Sequence, residues 1–253
     1  MGLGPVNSVR LSVELPKERQ YQVQCLAADS VELSALRGEI GKRGLSGRVS
    51  VRLLTGNHLP YANNMVNCLV VGPGVSDIAG TEIERVLVPE GVAIVARSIS
   101  ESLNTGGLNH ADGSGADWVS LSKPRSSALD SWTHFAYDAT GTMVSGDKEV
   151  GVPRHLQWVA GPRFTRSHEN ISSITAVVSE GGRIYSIIDE GPAASIYLPA
   201  RVCLVARDAY NGLLLWKRPI PNWHTHLFKL KSGPQQLARR LVAVGDKVFV
   251  TLG

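Results

Sequence analysis

The side chains of this chain that could do chemistry fall into a few small groups. Trp223-His-Thr-His226 offers two imidazoles two residues apart. On a strand both rings would share one face, as a metal site requires. No third ligand is fixed by spacing, so the pair alone does not predict a metal. Arg163, Arg166 and His168, with Asp189 and Glu190, could line a loop face and take an anion, or could brace loops as ion pairs. Asp77, Glu82 and Glu84 make no reasoned acid–base pair, and no nucleophile-elbow motif is present. Cys25, Cys68 and Cys203 lie far apart in apolar runs and read as buried free thiols, not as a disulfide frame or a zinc site. No residue takes a catalytic role on these grounds.

The elements that must position such groups change character midway. Tyr21–Leu26 is a short alternating strand, followed by a helix over Val31–Gly44 with Asp29 or Ser30 as its N-cap. Val31, Leu33, Leu36 and Ile40 give that helix an apolar stripe. Strands are predicted at Val49–Leu54, Met65–Val71 and Val92–Val95, with a loop over Thr55–Pro60 and a short helix over Ile78–Leu87. Alternating strands and helices predict an α/β domain with a mostly parallel sheet, whose ligand sits at the carboxyl ends of the strands.

Beyond residue 131 the pattern is all β. Ile174–Val178 and Arg183–Ile188 flank the turn Ser-Glu-Gly-Gly182; Cys203–Ala206 and Leu213–Trp216 flank a turn carrying Asp208, Asn211 and Gly212. Leu241–Val244, Gly245-Asp246 and Lys247–Thr251 repeat the first hairpin. Four strands followed by a copy of the first hairpin predict repeated antiparallel sheets. Trp158 reads as the end of a preceding repeat in the role of Trp216, and Trp216 as a core wedge. The stretch 98–131, with Asn104-Thr-Gly-Gly, Asp112-Gly-Ser-Gly115 and Lys123-Pro-Arg-Ser-Ser127, reads as a linker.

Composition bounds the partners. With 253 residues, 43% apolar residues and a net charge of +4, the chain has the profile of a globular protein of one large or two ordinary domains. Its basic residues are dispersed without interleaved aromatics, so nucleic acid is not an expected partner. No apolar run approaches the ~20 residues of a membrane span. No signal peptide opens the chain as given, which leaves cytoplasm and periplasm both open.

Two family resemblances sit on these residues. Leu59-Pro-Tyr-Ala-Asn-Asn-Met-Val-Asn-Cys-Leu-Val70, then Glu82-Ile-Glu-Arg-Val-Leu-Val-Pro-Glu-Gly-Val92, resembles class I S-adenosylmethionine-dependent methyltransferases over residues 1–97, with their "LP(F/Y)xDxxFDxV" and "ExxRVLxPGG" patterns. The resemblance implies a Rossmann-like domain, S-adenosylmethionine as cofactor, and Gly2, Gly4, Asp29 and Gly56 near it. The sequence departs from the pattern at the acids: Ala27 stands where the ribose carboxylate belongs, and Asn63 and Asn67 replace two aspartates. A missing third glycine and first strand add to this, so weak or undetectable cofactor binding is expected. Arg85 reads as a solvated helix residue. Residues 132–253, through "GGRIY" and Asp208-Ala-x-x-Gly-x-x-x-Trp216, resemble the blades of pyrroloquinoline-quinone-type β-propellers. The whole from Trp132 on resembles bacterial proteins that join the two domain types. Most propellers with this blade bind no quinone, so pyrroloquinoline quinone is not expected.

The reading is an incomplete methyltransferase-like α/β domain (1–97), a linker (98–131) and the first blades of a quinoprotein-like propeller (132–253), and the expectation is a fragment of a longer protein. Three functions compete: methyl transfer to an unspecified acceptor, a non-catalytic binding or scaffold role, and quinone-dependent dehydrogenation by analogy of fold. The propeller would take a protein or small-molecule ligand. The open edge at Leu241–Thr251 predicts self-association.

Overall fold

A computed structural model describes residues 2–3, 21–73, 75, 78–101, 103–113, 115–162, 173–195, 197–223 and 235–252. The chain divides into two compact units, Met1–Ser126 and Ser127–Gly253.

The first unit is built on one seven-stranded sheet. Its strands are β1 (Gly2–Leu3), β2 (Val23–Ala27), β3 (Val49–Leu53), β4 (Val66–Val71), β5 (Leu87–Ala96), β6 (Asn109–His110) and β7 (Trp118–Ser122). The spatial order is β3-β2-β1-β4-β5-β7-β6. Strands β1 to β5 pair in parallel, and β7 runs antiparallel to β5 and to β6. The first five form the doubly wound order of a Rossmann-like sheet, with the winding reversing between β1 and β4.

Helix α1 (Ser30–Lys42) starts where the sequence says it should. The Asp29 carboxylate accepts from the backbone N–H groups of Val31 and Glu32, which have no partner inside the helix. Leu36 and Ile40 turn inward with Cys25, Ala27 and Val49, each such aliphatic burial contributing about 1.5–3 kcal/mol. Val31, expected in the same stripe, is exposed and takes no part in that cluster. Helix α2 (Gly80–Val86) packs Ile83 and Val86 into a second cluster with Leu59, Leu69, Val71, Val95 and Leu121. Gly80 is required there: a Cβ would lie 1.8 Å from the Asn104 carbonyl oxygen.

Two expectations are corrected in this unit. The stretch 98–131 is not a linker throughout, because β6 and β7 complete the sheet and bury Val119 and Leu121 in its core. The glycines and polar residues that suggested flexibility are the turns around those short strands. Gly2 does not lie in a turn after a missing strand. It is in β1 itself, opposite Val70 of β4. Gly4 lies outside the described residues.

The second unit holds a four-stranded antiparallel meander of β8 (Ile174–Glu180), β9 (Arg183–Asp189), β10 (Val202–Asp208) and β11 (Leu214–Pro219), in the order β11-β10-β9-β8. Gly181 and Gly182 both adopt positive φ at the first turn, as a two-residue hairpin of this twist requires. A 3₁₀ helix (Gln235–Arg240) leads into the hairpin of β12 (Leu241–Val244) and β13 (Lys247–Val250). Its register repeats the first: Val244 faces Lys247 as Glu180 faces Arg183. Leu241 and Ala243 bury against Ala176, Val178, Tyr185 and Trp223, so the second hairpin packs on the first sheet rather than extending it. The described residues contain no closed ring of such sheets.

Trp158 and Trp216 do not play one role. Trp158 covers the Asp208–Gly212 turn, donating its indole N–H to the Ala209 carbonyl at 2.9 Å. A Cβ on Gly212 would lie 2.5 Å from that ring. Trp216 lies on the outer strand β11, 36% exposed, beside Tyr185 and Arg218, and is not a core wedge. Residues 151–158 form no strand.

Candidate functional site

In a doubly wound sheet the ligand crevice opens at the carboxyl ends of the strands, where the winding reverses. Here that edge is formed by Leu3, Ala27, Leu53 and Val71. Leu3 pairs with both Leu26 and Val71, Ala27 faces Leu53, and Leu54 N–H donates to the Ala27 carbonyl at 2.8 Å. Three of the sequence-nominated residues gather at or near this edge. Gly2 is one step inside it in β1. Asp29 follows β2 by two residues. Gly56 follows β3 by three, with φ of +70° and open space where a Cβ would stand. A glycine so placed lets a ligand approach the backbone closely.

The acids at this edge differ from the sequence expectation. Ala27 is fully buried and offers nothing to a ligand. Asp29 is exposed, but one of its oxygens, Oδ1, takes both N–H groups of the helix start, at 2.8 Å each. Glu32, which the sequence reading did not nominate, turns back from the first helical turn. Its Oε2 accepts from Ala28 N–H at 2.8 Å, holding the carboxylate at the end of β2. Its Oε1 is buried and has no hydrogen-bond partner among the described residues. The signal was present: Asp29 and Glu32 have the N-cap-to-third-residue spacing of a capping box, which brings the second acid back to the strand end.

The two other substitutions fall elsewhere. Asn63 accepts from Arg85 Nη1 at 2.9 Å, and Asn64 N–H bonds the Arg85 carbonyl where β4 and β5 begin. Asn67 is the second residue of β4, four residues before its end, about 13 Å at strand rise. Both asparagines therefore sit toward the amino edge, away from the crevice, and their lack of charge removes nothing from it.

The amino edge carries an extended polar network. Arg85 is no solvated helix residue. It donates from Nε and Nη2 to both oxygens of Glu82 at 2.7 Å, and also to the carbonyls of Tyr61 and Leu59. Glu82 in turn accepts from Leu59 N–H at 2.6 Å and pairs with His58. The hydrogen bonds from Arg85 hold the Glu82 carboxyl below its ordinary range, and the same bonds raise the guanidinium. Lys123 Nζ binds Asn64 Oδ1, Glu84 O and Leu87 O, closing the C-terminal end of α2. Tyr61, in the loop clamped by Arg85, has a buried hydroxyl with no partner among the described residues, and burial raises its pKa.

The nominations in the second unit do not converge. His224, His226, Arg163, Arg166 and His168, like Asp77 of the first unit, lie outside the described residues. Asp189 Oδ1 accepts from Gly191 and Arg201 N–H, and Glu190 pairs with Lys217 at 2.6 Å, so both acids brace loops. Asp130 accepts from Tyr137, Ser145, Ser131 N–H and Gly146 N–H. These bonds, led by the Tyr137 hydroxyl, push its pKa down to about 2. Among the described residues no group of three His, Cys, Asp or Glu could hold a metal, and no helix is long and apolar enough to cross a membrane. Cys25 and Cys203 are buried as expected, whereas Cys68, also expected to be buried, is exposed on β4; none of the three is in a disulfide.

No family model matches the chain, and no curated protein matches it. Solved structures do show partial likeness. A putative S-adenosyl-L-methionine-dependent methyltransferase from Methanococcus maripaludis is 14% identical, with 51% of this chain and 78% of that one covered and a TM-score of 0.41. A SAM-dependent methyltransferase from Aquifex aeolicus gives 13%, 48%, 78% and 0.38 in the same order. The [4+2]-cyclase SpnF gives 21%, 38%, 36% and 0.33, so this chain spans about a third of the cyclase's length.

Proposed function

We propose that the first unit binds S-adenosylmethionine and is methyltransferase-like. The observation that carries this is the doubly wound sheet order β3-β2-β1-β4-β5, with Asp29, Glu32 and Gly56 following the carboxyl ends of β2 and β3. The methyltransferase motifs at 59–70 and 82–92 narrow a general nucleotide-type crevice to this cofactor.

The residues present fit the group in part. Gly56 leaves room for close approach, and a carboxylate stands at the end of β2 with an unpaired oxygen. Of the three acids missing from the family pattern, only the one at Ala27 belongs to the crevice. When bound, S-adenosylmethionine supplies an electrophilic methyl group. The chain's own part is to hold the cofactor's hydroxyls from the end of β2 and to keep water from its buried sheet face. The acceptor is a separate molecule whose class these residues do not define.

The second unit is proposed as one four-stranded blade and the opening hairpin of the next, within a quinoprotein-like propeller that binds a protein or small ligand. The repeated hairpin register and the seating of Trp158 on Gly212 support this. The rival scaffold reading draws on Ala27 and on the absence of a third glycine in Pro5-Val-Asn-Ser8.

Calorimetric titration of the chain with S-adenosylhomocysteine tests the cofactor reading. Saturable binding, with none for NAD under the same conditions, is the expected result. Absence of binding at millimolar ligand would leave the scaffold reading.

A further inference from the structure

We infer that Glu32 is the acid that receives the hydroxyls of a ribose at this crevice, in place of the missing carboxylate at Ala27. The inference rests on the cofactor reading above.

Three observations converge on Glu32. Its position is fixed, since the bond from Ala28 N–H to Oε2 places the carboxylate one residue beyond the end of β2. Its second oxygen, Oε1, is buried and unpaired among the described residues. A helix-capping acid ordinarily leaves its spare oxygen in water. An acceptor removed from water without a donor is uncommon in native proteins and calls for a partner. The neighbouring acid cannot take this role as readily, because Asp29 spends Oδ1 on two helix N–H groups and stands exposed.

The chemistry of the unpaired oxygen selects the ligand. An ionised carboxylate only accepts, so it calls for a hydroxyl or N–H donor and repels phosphate. A ribose diol offers such donors without charge. The terminal torsion of glutamate is broad, so a modest turn of the carboxylate presents Oε1 to a ligand while Ala28 stays bonded.

The test is calorimetric titration of the full chain and its Glu32→Gln variant with S-adenosylhomocysteine and with its 2′-deoxy analogue, with thermal melting to show that the variant is folded. Gln keeps an oxygen for Ala28 N–H but loses the charge. The expected result is a wild type that prefers the ribose ligand, and a variant about tenfold to a hundredfold weaker that no longer distinguishes the two. Undiminished binding by the variant overturns the role of Glu32 and leaves the cofactor reading standing. No binding by the wild type overturns both. Should the variant fail to fold, the wild type alone decides: equal affinity for the two ligands overturns the inference.

Discussion

The two edges of the first sheet are built in opposite ways. At the amino edge, Arg85, Glu82, Lys123, Asn63 and Asn64 form a charge-assisted network with the loop and backbone around them. At the carboxyl edge stand a glycine with open space, one capping aspartate and one glutamate with a spare oxygen. The residues most recognisable in the sequence, "LPYANN" and "EIERV", belong largely to the first edge. They hold the start of β4 to α2 and the start of β5. The difference teaches that the residues most recognisable in a sequence can brace one edge of a sheet without lining the other.

The sharpest way to break this comparison is Arg85→Ala. It removes a bidentate pair with Glu82 and donors to two loop carbonyls, and leaves a carboxylate that is 12% exposed without its cation. Loss of about 3 kcal/mol of unfolding free energy is expected in urea denaturation. The folded variant should bind ligand with little change. A pH series adds a sign. Because the Glu82 carboxyl is held below its ordinary value of 4.5, its contribution is fully present above that value and is lost as pH falls below it. Wild-type stability should therefore decline below about pH 4.5 more steeply than that of Arg85→Ala. An unchanged urea midpoint in the variant would mean that the network is ornament to this edge.

A smaller effect is expected of Lys123→Met, which keeps the aliphatic stem and removes three donated bonds. Two of them satisfy the Glu84 and Leu87 carbonyls, near the end of α2 and at the start of β5. About 2 kcal/mol of destabilisation follows from leaving part-buried acceptors unpaired. Hydrogen exchange should rise first at the β4–β5 junction and stay constant at α1. Loosening of α1 instead would show that the two edges are not independent.

Much of the fold could be read from the residues. The helix start at Asp29, the parallel strands and the repeated hairpins followed from capping chemistry and apolar periodicity. The closing strands β6 and β7 could not, since runs of two and five residues carry no period long enough to separate a short strand from a linker. Arg85 was misjudged because its partners Tyr61, Leu59 and Asn63 lie more than 20 residues away, beyond the reach of helix-face spacing. Of the candidate site, Asp29 was nominated from the sequence and lies just past β2, where it caps α1; Glu32 was not nominated, because its capping-box spacing turns the carboxylate back to the strand end only once the helix start is fixed. Trp216 was misplaced for a related reason: burial of an outer-strand aromatic depends on what packs beside it, not on its own strand.

Asp29→Ala gives the smallest effect and separates capping from binding at the open edge. Asp29 supplies one oxygen to two N–H groups at the start of a helix whose Leu36 and Ile40 are buried. Its removal should cost about 1 kcal/mol, the usual loss for an N-cap, read as a lower urea midpoint. The Ala28 N–H bond to Glu32 does not pass through the Asp29 side chain, so the proposed ribose acceptor keeps its place. Affinity for S-adenosylhomocysteine should then stay within about threefold of wild type, well short of the tenfold that 1.4 kcal/mol represents. A loss of tenfold or more in fully folded Asp29→Ala would move the ribose contact back to Asp29. If Asp29→Ala and Glu32→Gln each weaken binding and the double variant weakens it no further, the two acids act as one unit, with the cap serving to hold the glutamate at the strand end.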